Sequence, residues 1–316
     1  MASPISADPA TTSLAVLGPS ATEHTDLVPV FLLRYDRENT KRSYARDISS
    51  FFGTDSVTLA LARQVTFAHV NAHLAELEAS GRAPATLKRR LASLRGFFAW
   101  LVSLGLLALN PADRHLVRRI SAQKAGDGVL TVLTAEQART LIESVDSSSE
   151  SWFRDQTLML TLLHCVLRRS EAAAMEFEHV RPSGPYWVLD LPRTKGGTGQ
   201  TVKVPPHVAE QIAEMKTVYG HGSGPIWRSI SNNSRGNRLS GSAIYQIVRK
   251  HARRAGISGV VGAHTLRHTG CTLAIESGAT VQQVQTHARH KNIETTMIYV
   301  HQRDKLADSA ADYIEF

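Results

Sequence analysis

The sequence has no run of about 18 apolar residues, the length with which a helix crosses a bilayer, and its first twenty residues lack the basic start and apolar stretch of a secretory signal. A soluble cytoplasmic protein without a membrane partner is therefore expected. Cysteine is scarce: Cys165 and Cys271 are the only two, each inside an apolar helical pattern and not in a C-x-x-C pair. That leaves little for a disulfide framework or a zinc site, so two buried, reduced thiols are expected. Neither G-x-x-x-x-G-K-S/T nor a G-x-G-x-x-G after a strand occurs, which removes the usual sites for ATP and dinucleotides. The G-x-S-x-G elbow of serine hydrolases is missing too, as is any fixed-period repeat, which excludes a solenoid or propeller. No cofactor and no metal are expected.

What the chain does have is basic charge. Its 316 residues carry 36 Lys and Arg against 28 Asp and Glu, a formal net charge of +8, which favours an anionic partner such as nucleic acid. At roughly 100 to 200 residues per domain the length suggests two domains. Residues 1–22, rich in Ala, Ser, Thr and Pro, read as a disordered tail. Residues 23–112 read as a helical domain. One helix begins near Asn39 with Tyr44, Ile48 and Phe51 on one face, a second runs from Thr66 to Ser80, and a third places Leu87, Leu91, Leu94, Phe98 and Leu101 on one face. Off those stripes lie Lys41, Arg42, Lys88, Arg89, Arg90 and Arg95, a candidate DNA-binding surface. Residues 113–128, polar and basic, read as a linker.

Residues 129–316 read as a second domain. Thr134-Ala-Glu-Gln137 and Thr280-Val-Gln-Gln283 are capping-box patterns that open helices. A long apolar helix spans Phe153 to Leu167, strands at Tyr186–Leu191 and Thr201–Val204 make a hairpin, and helices follow near Ser242–Ala255, Thr265–Ser277 and Thr280–Ala288. The fold class is thus mainly α with a small β-hairpin or sheet in the second domain. Chemistry-bearing residues collect here. His264 and Arg267, three apart at a helix start, project from one face, the Arg suited to fork onto a phosphate and the His to exchange a proton near neutral pH. Arg168 and Glu171 lie at the end of the long helix, and His290 precedes Tyr299 by nine residues. His264 and His268 at i, i+4 would suit a metal, but no third ligand and no H-E-x-x-H accompany them.

The order Arg168, Glu171, a hairpin lysine, His264-x-x-Arg267, His290 and Tyr299 resembles the catalytic domain of the tyrosine recombinases, or phage integrases, over about Leu130 to His301. The region Glu38–Ala112 resembles the family's core-binding domain in general patterning. The resemblance implies a two-domain clamp on double-stranded DNA and a metal- and ATP-independent, site-specific strand exchange through a 3′-phosphotyrosine link. It gives Tyr299 the role of nucleophile. Arg168 and Arg267 neutralise the phosphate, His264 handles the tyrosine proton, His290 donates to the phosphate, and Glu171 orients its neighbours. Lys195 is the acid for the leaving 5′ oxygen, with Lys203 as its rival. A phenol of ordinary pKa about 10 needs such help, and arginines can do for an anionic phosphodiester what metal ions do elsewhere.

The pattern departs from the family twice. Cys165-Val166-Leu167-Arg168 stands where Thr-Gly-Leu-Arg is usual, and Ala288-Arg289-His290 where Leu-Gly-His is usual, so Arg289 either takes a left-handed backbone or the helix ends differently. Leu306, Ala307, Ala310 and Ile314 form a weak stripe, and the resemblance implies that such a tail links protomers of a homo-tetramer on paired DNA sites, the alternative being a tail packed on its own domain. A Xer-like organisation at the nucleoid is expected. The alternatives are a type IB topoisomerase-like enzyme that reseals the same strand, a noncatalytic DNA-binding protein, and a metal-dependent transposase, which EDTA would reveal.

Overall fold

The computed structural model describes residues 23–120, 132–191 and 199–300. It is mainly helical with one small antiparallel sheet. The chain divides into two compact units, Met1–Gly128 and Val129–Phe316, each with a core of its own.

The first unit contains α1 (Leu27–Leu32), α2 (Glu38–Phe52), α3 (Leu59–Arg63), α4 (Phe67–Ala79) and α5 (Pro84–Ser103). Local chemistry sets their ends. The Asp26 carboxylate accepts from the Val28 and Val57 amides, both at 3.1 Å, tying the start of α1 to the turn before α3. Gly53 closes α2 at φ 68°, and Pro84 opens α5 in the first-turn position where its missing N–H costs nothing. Ile48, Leu87, Leu91, Leu94, Phe98 and Leu101 are buried as their spacing requires. They enclose an aromatic cluster of Phe31, Phe97 and Trp100, in which each buried ring contributes roughly 1.5–3 kcal/mol.

The expected linker starts too early. Ala112 and Val117 are buried in this core, the Arg118 amide donates to Asn71, and its guanidinium pairs with Glu78 at 2.7 Å. A polar, basic composition concealed these anchors, so residues through Ile120 pack with the first unit.

The second unit contains α6 (Ala135–Glu143), α7 (Trp152–His164), α8 (Arg169–Ala173), β1 (Val180–Ser183), β2 (Tyr186–Leu191), β3 (Gln200–Val204), α9 (Pro206–Tyr219), α10 (Gly241–Arg254), α11 (Ala263–Glu276), α12 (Val281–Ala288) and α13 (Glu294–Val300). Both capping boxes form: the Thr134 and Thr280 hydroxyls accept from the Gln137 and Gln283 amides at 3.1 and 3.2 Å, and each glutamine reaches back. The sheet is a meander, β1-β2-β3, with Val180 opposite Leu189 and Leu189 opposite Val202. Its first strand, Val-Arg-Pro-Ser, lacks alternation and holds a proline that only an edge tolerates, so the sequence showed only the β2-β3 hairpin.

The long helix expected to reach Leu167 stops at His164, because Val166 adopts a left-handed backbone at φ 43° that no α-helix can continue. Beside this break α7 and α11 approach closely at Gly270, where a methyl group would overlap the Leu163 carbonyl oxygen and crowd Val166. Deeper in, Asp155 holds the unit together: its Oδ1 accepts from Arg154 Nε at 2.9 Å, and its Oδ2 accepts from Ser151 and meets His251 Nε2, both at 3.0 Å.

Candidate active site

Four chain segments meet at the amino end of α8. Arg168 is the residue that caps this helix, and its amide donates to Glu171 Oε2 at 2.8 Å while its guanidinium reaches Glu171 Oε1 at 2.7 Å. From α11, the buried Arg267 donates one Nη to the Val166 carbonyl and the other to the Ala288 carbonyl. Thus one arginine clasps the two segments in which, among the described residues, a residue other than glycine turns left-handed.

The second turn is at Arg289, φ 57° and ψ 45°, where the Arg289 and His290 amides return to the Thr286 and Gln285 carbonyls, both at 3.1 Å. That is a Schellman ending without the glycine that usually makes it, at a cost of roughly 1–2 kcal/mol. Arg289 tolerates the left-handed backbone, and its side chain points into the site. It pairs with Glu171 Oε2 at 2.8 Å and donates to Val166 O at 3.2 Å and His287 O at 2.7 Å. Sequence reasoning treated this residue only as a departure from glycine.

Tyr299, on α13, is fully buried among Val166, Cys271, Ile275, Val284 and Ala288. Its hydroxyl lies 2.5 Å from Nδ1 of His268. The histidine on the phenol is therefore His268, not the expected His264, whose ring instead meets that of His268 edge-on at 4.7 Å. The i, i+4 spacing of the two was visible in the sequence, but which ring faces the tyrosine depends on how α13 crosses α11. His290 stacks near Tyr299, ring centres 6.2 Å apart, and its Nδ1 meets the Thr296 hydroxyl at 2.9 Å.

Burial and the surrounding arginines set the protonation states. Burial, then His264, Arg267 and His290, depress His268 to about 4. Burial with Arg267, Arg168 and Arg289 does the same to His290, also to about 4, and burial with Arg267 lowers His264. All three imidazoles are neutral at neutral pH, able to accept or donate a proton. Burial and the adjacent Cys271 thiol push the Tyr299 phenol above its ordinary value, with Arg267 opposing. Burial would raise the Glu171 carboxyl, but Arg289 and the Arg168 amide and guanidinium outweigh it and hold it below the usual range. Burial, Arg168 and Arg289 lower Arg267 to about 10, which still leaves it charged.

The other candidates divide. Lys195 lies outside the described residues. Its rival Lys203 projects from β3 onto the Tyr186 ring, 4.6 Å from its centre. In the first unit Lys88 is exposed and Lys41 half-buried. Arg42 is exposed beside Glu38 at 3.9 Å, and Arg90 donates to Ser50 at 3.0 Å. Arg89 is spent on the buried Asp47, joining α5 to α2, and Arg95 Nε donates to the Ala112 carbonyl at 3.0 Å. These last two hold the unit together as well as adding charge to it. Cys165 and Cys271 are free and buried, and burial raises the Cys165 thiol to about 12. Among the described residues no group of three potential metal ligands occurs, and no helix is long and apolar enough to cross a membrane.

The family model described as the phage integrase family matches residues 131–305, more than half of the chain. The chain belongs to the phage integrase family. A second model, the phage integrase N-terminal SAM-like domain, matches residues 31–105. Among similar curated proteins, tyrosine recombinase XerC of Thermodesulfovibrio yellowstonii is 27% identical over 285 residues, covering 85% of this chain and 88% of its own. Tyrosine recombinase XerD of Listeria monocytogenes is 27% identical over 277 residues, covering 83% and 88%. Among solved structures, the XerH recombinase bound to a palindromic difH substrate superposes with a TM-score of 0.65 at 18% identity, over 95% of this chain and 85% of that one. A lambda integrase tetramer bound to a Holliday junction gives 0.67 at 19% identity, over 91% and 78%. These likenesses make the two-domain recombinase fold that of this phage integrase family member.

Proposed function

We propose that Tyr299 attacks a DNA phosphodiester gripped by Arg168 and Arg267, forming a bond from its phenolic oxygen to the 3′ phosphate while the bond to the 5′ oxygen breaks. Family membership makes the chain an enzyme that cleaves and rejoins DNA at specific sites. The observation that carries the residue assignment is the phenol of Tyr299, 2.5 Å from a neutral imidazole, inside a cluster of arginines drawn from segments far apart in sequence.

The steps follow from these groups. His268 takes the phenol proton through Nδ1. Arg168 and Arg267 offset the charge that grows on the nonbridging oxygens, and His264 and His290 donate to the same oxygens. Lys195 protonates the departing 5′ oxygen. The phosphotyrosine keeps the energy of the broken bond, so a 5′ hydroxyl from a partner duplex reverses the attack and completes exchange without ATP. Tyr299 is covered, and Arg267 bonds the Val166 and Ala288 carbonyls. A guanidinium carries five N–H donors and those carbonyls take one from each Nη, which leaves donors for phosphate oxygens.

The test is covalent trapping. The protein incubated with fragmented genomic DNA in EDTA is expected to retain DNA after denaturation, at one recurring sequence and through a 3′ phosphate. No covalent attachment, with strand cleavage that appears only when a divalent metal is supplied, would instead favour a metal-dependent transposase. Similar proteins are solved as a dimer on a core site and as a tetramer on a Holliday junction, and this chain works as an oligomer on paired sites, with its C-terminal tail docking on a neighbouring protomer. A chain ending at Gln302 should then bind single sites normally but lose the slow-migrating multimeric complexes on native gels. Unchanged assembly would reject the tail as the link.

A further inference from the structure

We propose that Arg289 is a positioning residue of the site: a third arginine that fixes both Arg168 and Arg267 by sharing one acceptor with each. This inference rests on the recombinase reading above.

The geometry runs through three acceptors. Glu171 takes Arg168 on Oε1 at 2.7 Å and Arg289 on Oε2 at 2.8 Å. The Val166 carbonyl takes Arg267 and also Arg289, the latter at 3.2 Å. The carbonyl of Arg289 itself receives Arg168 Nη2 at 3.4 Å. The Arg289 side chain is about nine-tenths buried, and its Nε has no partner. What the residue adds is the bridge. Without it Glu171, which is buried, would face charge only from Arg168 at the start of its own helix and, more distantly, from Arg267 of α11, while Arg169 beside it lies against Gly241 of α10. The carboxylate would lose the largest charge that keeps it ionised as the acceptor of Arg168.

Arg289→Gly suits the test, because glycine adopts the observed φ without strain and the fold should survive. The folded-state pKa of Glu171 is held down, so its ionised form is lost as pH falls through that value. Removing Arg289 raises the value and moves the loss toward neutral pH. Two measurements separate this role from general damage. The first is the titration midpoint of the Glu171 carboxyl by ¹³C NMR, assigned with Glu171→Gln, which needs no DNA and no turnover. The second is the pH profile of covalent trapping on the fragment that the wild type selects.

The expected result for Arg289→Gly is an upward shift of the Glu171 midpoint, the same upward shift of the acid limb of trapping, and a fall in rate on the order of tenfold. Arg289→Lys should restore the midpoint and the limb, since the charge returns, while leaving part of the rate defect. An unshifted midpoint overturns the proposal, as does a shifted midpoint with the trapping profile and rate unchanged. If the wild type traps no DNA at all, the recombinase reading fails instead, and the midpoint alone still tests the link between Arg289 and Glu171.

Discussion

Replacing Tyr299 with phenylalanine is expected to abolish covalent attachment to DNA while leaving folding and DNA binding almost unchanged. Phenylalanine keeps the ring among Val166, Cys271, Ile275, Val284 and Ala288 and removes only the hydroxyl that meets His268. One hydrogen bond contributes about 1 kcal/mol net, so the denaturation midpoint should barely move. Attachment, by contrast, has no substitute nucleophile within the cluster: the Cys271 thiol beside the phenol is buried and its pKa is raised by that burial. Labelled DNA on a denaturing gel reads the outcome, with a native gel shift as control for binding. DNA still attached to Tyr299→Phe would remove this residue from the role of nucleophile.

The second large effect is expected at Arg267. Truncation to alanine withdraws a buried cation from the phosphate and strips the Val166 and Ala288 carbonyls of their donor. Loss of one preorganised donor to a transition-state oxyanion typically lowers the rate on the order of 10² to 10³-fold. Arg267→Lys should recover little, because an ammonium cannot span the two carbonyls and fork onto phosphate as a planar guanidinium does. Single-turnover cleavage of the selected fragment measures both variants. Cleavage at the wild-type rate by Arg267→Ala would sink the assignment. A parallel urea titration separates the catalytic loss from destabilisation, which should accompany it because two carbonyls are left without their guanidinium donor.

The sequence and the fold can be compared at particular residues. Helix periodicity located α2 and α5 because their apolar stripes face a local core, and the capping boxes at Thr134 and Thr280 formed because both partners lie within one turn. Arg168 and Glu171 meet although the long helix expected to carry them stops at His164, because Arg168 caps α8 and a cap lies within one turn of the third residue of its helix. The sheet's first strand was not legible, since an edge strand carrying proline has no alternation to read. The sequence kept Val166 inside the long helix and left the backbone at Arg289 open between a left-handed turn and a different helix ending, and nothing local says where a guanidinium beyond such a turn will point.

By itself the sequence determined the kind of protein this is: helical, basic, without nucleotide or metal motifs, with an ordered set of Arg, His and Tyr that places it among the phage integrases. Tertiary structure alone decided which of those groups touch. His268 rather than His264 meets the phenol because α13 lies across α11. Arg289 meets Glu171 across 118 residues of chain, and Arg89 and Arg95 are drawn into the packing of their own unit. The physical reason is the range of the interactions. Propensity, caps and periodicity act within a few residues, whereas the partner of a buried charge is set by which distant segments the packed core brings within about 3 Å.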